Sequence, residues 1–185
     1  FMQYSDADAL SKALTDGSLD MAAPVSASTA TGLNGKDGLT VKEGATTDKV
    51  LLAYNNGTDS LLSDEQARKA FRYQIDAAGI ASAQPDAAGA LGGPISPLEP
   101  GYEDLTGLYP HDENQAGQMF SYFGAQYLTT VNLVVPEEYR SLAETIKQQI
   151  ERQPRPTVNL EVLSDEDYAK RIKDGKWELT VMSMD

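Results

Sequence analysis

Hydrophobic positions along the chain switch between a spacing of two, as in a half-buried strand, and a spacing of three to four, as in an amphipathic helix. Phe1–Tyr4 reads as a strand, and Ser5 or Asp6 caps a short helix that runs through Leu14 and stops at Asp16-Gly17. Leu19–Ala22 and Leu39–Glu43 read as further strands, separated by a loop rich in Ser, Thr, Ala and Gly. Asp48–Asn55 is a continuous apolar run of the kind found at a sheet centre, ended by an Asn-Gly turn signal at Asn56-Gly57. Ser63-Asp64-Glu65-Gln66 spells a capping box, and the helix it opens carries Ala67, Phe71 and Ile75 on one stripe until Gly79.

The run from Ser82 to Gly101 is rich in Ala, Gly and Pro and has neither period. An irregular stretch longer than about 12–15 residues inside a compact domain is usually functional. Beyond it the pattern sharpens. His111 or Asp112 caps a helix bearing Ala116, Met119, Phe120 and Phe123, closed by Gly124, and Tyr127–Val135 is a strand. Pro136 suits a first helical turn, and Leu142, Ile146 and Ile150 stripe the helix that follows. Thr157–Leu163 alternates cleanly. Ser164 caps a helix with Tyr168 and Ile172 on one face, stopped by Gly175, and Trp177, Leu179 and Val181 alternate in a last strand. Strands alternating with helices predict an α/β fold, and 185 residues predict one domain.

Composition narrows the function. The sequence has no cysteine, so disulfides, thiolate metal sites and cysteine nucleophiles are excluded. Its net charge of −13 repels phosphate backbones, and no Lys/Arg run concentrates positive potential, so nucleic acid is not a partner. No stretch approaches the roughly 20 apolar residues of a bilayer span, and no basic-then-apolar signal segment opens the chain. A first residue of Phe1 suggests a piece of something longer.

Catalytic constellations fail in turn. His111 is the single histidine, so no imidazole pair can hold zinc, and no Gly-x-Ser-x-Gly elbow offers it a serine; a solvent-exposed or capping role is expected. Gly32, Gly35 and Gly38 match neither a dinucleotide fingerprint nor a P-loop. The groups Asp64/Glu65, Glu137/Glu138 and Asp165/Glu166/Asp167 fall in first helical turns, where acids favour the helix dipole without catalytic duty. No catalytic residue, metal ligand or cofactor is assigned.

A resemblance carries the rest. Asp16-Gly17-Ser18-Leu19-Asp20-Met21 is similar to a Gly-x-hydrophobic-Asp-hydrophobic step. Leu51-Leu52-Ala53-Tyr54-Asn55, Leu62-Ser63-Asp64 and Ala67 through Asp76 resemble a strand-Asn followed by a Val-Arg-x-Ala helix ending in Ala-Ile-Asp. Gly93-Pro94-Ile95 through Pro100-Gly101-Tyr102 looks like a Pro/Gly crossing loop, followed by Tyr109-Pro110-His111-Asp112. Tyr168 with Gly175-Lys176-Trp177-Glu178-Leu179 closes the set. In this order and spacing, the whole chain resembles the C-terminal lobe of the family 5 extracellular solute-binding proteins, the dipeptide/oligopeptide-binding components of ABC importers. Ala67, Gln74 and Ala77 depart from the usual valine, alanine and basic residue.

The resemblance implies a periplasmic-binding-protein-like (type II) lobe, a mixed sheet flanked by helices, spanning residues 1–185 as one unit. It implies a peptide or similar small solute held in a cleft between this lobe and a second one, with ABC permease subunits as partners. It further implies a periplasmic or cell-surface location, with any membrane anchor outside this chain. Tyr139, Asp165, Ser183, Met184 and Asp185 match positions that line the family's pocket, and Asn55 ends a central strand. Each keeps a plainer reading: Asp165 as a helix-start acid, Tyr139 as an amphipathic surface residue, Met184 as packing. Ile172 and Val181 stand where some oligopeptide binders carry arginine, so those arginine contacts are missing here. The chain stops at Met182-Ser183-Met184-Asp185, where the family's chain is about to reach the pocket, so one lobe alone is expected to bind weakly or not at all. A surface interaction or sensor module on the same fold is the alternative.

Overall fold

In the computed structural model, residues 2–36, 38–124 and 130–184 are described. Phe1, the first three residues of the strand expected from Tyr127, the side chain of Phe123, and Asp185 lie outside them. The chain divides into two compact units, residues 1–45 with 81–88 and residues 46–80 with 89–185.

The first unit is built on two short helices. In α1 (Ala7–Thr15), Asp6 is the N-cap and accepts the Ala9 amide at 2.7 Å. In α2 (Ala27–Leu33), Ser26 caps and accepts the Thr29 amide at 3.3 Å, while the Ala27 amide donates to Asp86 at 2.6 Å. Ala13 and Leu33 are its buried apolar residues. Residues 2–4 of the strand expected at Phe1–Tyr4 are irregular, as are those expected at Leu19–Ala22 and Leu39–Glu43, and α2 occupies the segment expected as loop. Among its described residues this unit holds no strand for such short runs to pair with, and an unpaired strand leaves its backbone groups unsatisfied.

The second unit carries a four-stranded mixed sheet in the order β1-β4-β2-β3. Its strands are β1 (Lys49–Tyr54), β2 (Thr130–Pro136), β3 (Thr157–Leu163) and β4 (Leu179–Met184). β2 runs parallel to β3 and β4, and β1 pairs antiparallel with β4. Trp177 precedes β4 instead of lying in it, and its indole donates to the Ile172 carbonyl at 3.3 Å.

Five helices belong mainly to this unit. Asp64, not Ser63, caps α3 (Glu65–Gln74): its carboxylate accepts the Gln66 amide at 2.7 Å. The helix stops at Gln74, earlier than the Gly79 signal implies. The Gln149 side chain takes the Asp76 amide at 2.8 Å, and the chain turns extended at Ile75 before α4 (Ala77–Ser82). Asp112 caps α5 (Glu113–Gly124), accepting the Gln115 amide at 2.9 Å. After Pro136 comes a 3-10 turn (Glu137–Tyr139) and then α6 (Arg140–Ile150). Ser164 caps α7 (Asp165–Lys173), and Gly175 at φ +68° supplies the left-handed residue that ends it.

The core lies on one face of this sheet. Val131, Leu133, Val135, Val158, Leu179 and Val181 meet Phe71 of α3, Phe120 of α5 and Ile146 and Ile150 of α6. Phe71 and Phe120 meet edge-on with ring centroids 5.0 Å apart. α7 takes the opposite face, since its side chains engage the alternate strand positions. The Tyr168 hydroxyl lies 2.9 Å from Thr180 Oγ1, and Arg171 pairs with Glu161. The crossover from β2 through α6 to β3 and the one from β3 through α7 back past β2 to β4 run in opposite directions across the sheet, and so place α6 and α7 on opposite faces.

Candidate functional site

In an open α/β sheet the natural binding crevice lies beyond the carboxyl ends of the parallel strands, where connections diverge. Here those ends are Pro136, Leu163 and Met184. The antiparallel β1 starts at the same edge, with Lys49 opposite Met184 and Val50 opposite Ser183. The chain leaves β2 through the 3-10 turn and β3 through the Ser164 cap, so the amino ends of two helices reach this edge. Their free N–H groups and dipoles favour polar solute groups there.

The structure brings four of the expected site residues together at this edge. Tyr139 closes the 3-10 turn and precedes α6, half-buried against the core. Asp165 is the first residue of α7 and is exposed. Ser183 and Met184 end β4 and are exposed on alternate faces of the sheet. Asp185 lies outside the described residues.

Asn55 lies at the other end. It follows β1, which runs antiparallel to β4, so it sits beside the start of β4. Its side-chain amide donates to the carbonyl oxygens of Trp177 (2.8 Å) and Gly175 (3.1 Å), and its oxygen accepts the Gly57 amide at 3.0 Å. The same end is tied by Glu178, which accepts both the backbone and the side-chain amide of Asn132 at 2.7 Å, and by Asn159, which donates to Asn132 at 2.9 Å. One end of the sheet is cross-linked by amides; the carboxyl end presents side chains to solvent.

An ion pair between a buried lysine and a half-buried glutamate stands at the carboxyl end and has no counterpart among the residues singled out from sequence. The Lys49 ammonium, with its side chain only 1% exposed, lies 2.6 Å from Glu99 Oε2, which also accepts the Ser96 amide at 2.7 Å. The hydrogen bond from Lys49, reinforced by the Ser96 amide, lowers the Glu99 carboxyl to about 2. The pair pins the irregular segment 89–112 to the start of β1. The sequence marks Ser82–Gly101, which overlaps that segment, by its length and composition, and singles out neither Lys49 nor Glu99. His111 stands 3.6 Å from Glu113 next to the Asp112 cap. Among the described residues no three carboxylate or imidazole side chains converge as metal ligands.

A mixed sheet of this topology, flanked by helices and open at its strand termini, has the type II periplasmic-binding-protein fold. The sequence over residues 1–185 matches the bacterial extracellular solute-binding proteins, family 5 Middle, and the chain belongs to that family. The oligopeptide-binding protein AppA of Bacillus subtilis, solved with a nonapeptide, superposes with TM-score 0.69 at 18% identity, covering 97% of this chain. NikA of Staphylococcus aureus, solved with Ni(L-His)2, gives TM-score 0.68 at 18% identity over 98% of it. HbpA2 of Haemophilus parasuis gives 0.73 at 17% identity over the full chain. At such identities the likeness shows the fold. The chain spans 38–39% of the length of these three structures. No curated protein sequence matches it.

Proposed function

We propose that the chain is one lobe of a two-lobe receptor that hands a peptide or similar small solute to an ABC importer, without catalysis. The observation that carries this reading is the gathering of Tyr139, Asp165, Ser183 and Met184 at the carboxyl edge of the sheet, as one half of a cleft. A solute held by two closing lobes is buried over most of its surface, and half a site keeps only part of those contacts while still ordering the solute. Asp185, one residue further on, is included in the proposed half-site. Asn55 is assigned to holding the opposite end of the sheet. The relatives' solutes, a nonapeptide and a nickel–histidine complex, set the chemical range. Membership of an extracellular solute-binding family supports delivery to permease subunits and a location outside the cytoplasm. The test is calorimetric titration of the full-length gene product with a tryptic casein digest and with Ni(L-His)2. Saturable binding to either supports the reading; binding to neither contradicts it.

A further inference from the structure

Asp48–Asn55 reads as the continuous apolar run of a sheet centre, yet β1 (Lys49–Tyr54) stands last in the order β1-β4-β2-β3. A strand that is apolar on both faces belongs between two neighbours, whereas an edge strand is ordinarily blunted by charge, proline, a bulge or a cover. In β1 the one charged residue, Lys49, is buried on Glu99, there is no proline, and the pairing with β4 runs in unbroken register.

One bond sets the direction of its backbone groups. The Asn55 amide donates to the Glu178 carbonyl at 2.9 Å. Along this antiparallel ladder Ala53, Leu51 and Lys49 therefore turn their N–H and C=O groups toward β4, and Val50, Leu52 and Tyr54 turn theirs outward. Among the described residues these outward groups meet no hydrogen-bond partner. The opposite edge is built differently. On β3 the Val158 amide donates to Glu151 at 2.9 Å and the Val158 carbonyl accepts from Lys147 at 2.5 Å, and those two side chains pair at 2.8 Å. Asn159 and Glu161 also break the apolar run of β3. One edge of the sheet is capped from α6 and the other is bare.

Length and charge point to the occupant. The chain spans 38–39% of the length of the three solved relatives, so most of a receptor of that size lies outside residues 1–185. A net charge of −13 on each molecule repels a second copy. A partner that comes and goes would leave an apolar edge bare between visits, a template for aggregation. A covalently connected strand stays at high effective concentration.

We propose that the outer edge of β1 pairs with a fifth, apolar strand supplied by the same polypeptide from outside residues 1–185. That strand satisfies the outward groups of Val50, Leu52 and Tyr54 and covers the Val50 side chain, which is 55% exposed without it.

The test is hydrogen exchange at single-residue resolution on the full-length gene product without solute. The amides of Val50, Leu52 and Tyr54 are expected to exchange within about tenfold of those of Leu51 and Ala53, all at least about a hundredfold slower than unstructured chain. Tenfold dilution of the protein should leave these rates unchanged. Faster exchange of the three outward amides overturns the proposal, since the edge is then open. Slowing that appears only with casein-digest peptides assigns the edge to the solute, and slowing that weakens on dilution assigns it to a second copy; either result overturns the proposal too. The receptor reading stands or falls separately, on the solute titration.

Discussion

The side-chain amide of Asn55 donates to the Trp177 carbonyl at 2.8 Å, joining the exit of β1 to the entry of β4. With the Gly175 carbonyl as its second acceptor, one side chain closes the turn that leads from α7 into the sheet. Asn55→Ala removes these bonds at a half-buried position and is expected to cost about 1–2 kcal/mol. The solute affinity of the full-length protein should stay unchanged. Urea denaturation and calorimetry on the same variant check both halves.

Gln74 is a second polar residue with a structural explanation. It is fully buried, donates to the Gln149 carbonyl at 2.6 Å and accepts from Gln153 at 2.8 Å. Gln153 also donates to the Glu113 carbonyl at 2.9 Å, so a ladder of glutamines links α3, α6 and the start of α5. The alanine usual in the family would leave these partners unsatisfied. Gln74→Ala should destabilise by about 1–3 kcal/mol, and replacing Gln153 as well should add less than its separate effect, since the two share a bond. A double-mutant cycle in urea measures that coupling.

Phe71 is the aromatic hub of the core, fully buried between Tyr54 and Phe120. Phe71→Ala should cost about 3–5 kcal/mol, because a cavity between a sheet and helices closes only in part. Chemical denaturation reads the loss directly.

Acid should weaken the fold through Glu99. Its carboxyl is lowered from 4.5 to about 2 in the folded protein, chiefly by Lys49. A lowered carboxyl contributes stability that is present above its unfolded value and is lost as pH falls toward its folded one. The contribution should therefore fade between pH 4.5 and about 2. Asp16, held at about 2 by Ser18 and Lys12, fades over a similar acid range from its ordinary 3.8. Glu99→Gln should flatten the Glu99 share: the stability gap between wild type and variant is wide at neutral pH and narrows toward pH 2. Denaturation midpoints measured across that range check it.

The sheet was legible because its burial leaves a period in the sequence. Val158, Leu160 and Val162 alternate with Asn159 and Glu161, and β3 spans Thr157–Leu163 as the alternation predicts. Local chemistry also marked helix starts: Ser164 caps α7, and Asp112 caps α5. What failed depended on partners far along the chain. Leu19–Ala22 and Leu39–Glu43 have strand-like composition but, among the described residues of their unit, no strand to pair with. The end of α3 is set by Gln149, more than 70 residues away, which captures the Asp76 amide. The candidate site divides in the same way. Tyr139, Asp165, Ser183 and Met184 were singled out through the family resemblance and stand at strand and helix ends on one edge, whereas the end of the sheet reached by Asn55 is fixed by the antiparallel direction of β1, which no local signal encodes. The Lys49–Glu99 pair joins residues 50 positions apart and leaves no spacing to read.

Hydrogen exchange on the full-length protein, with and without casein-digest peptides at saturation, tests most directly whether solute meets this chain at the carboxyl edge of its sheet. Slowing of exchange by at least tenfold around residues 137–139, 164–166 and 182–184, with residues 55–57 and 175–178 unchanged, is the expected result. Protection at 55–57 and 175–178 with none at the carboxyl ends of β2, β3 and β4 would contradict it.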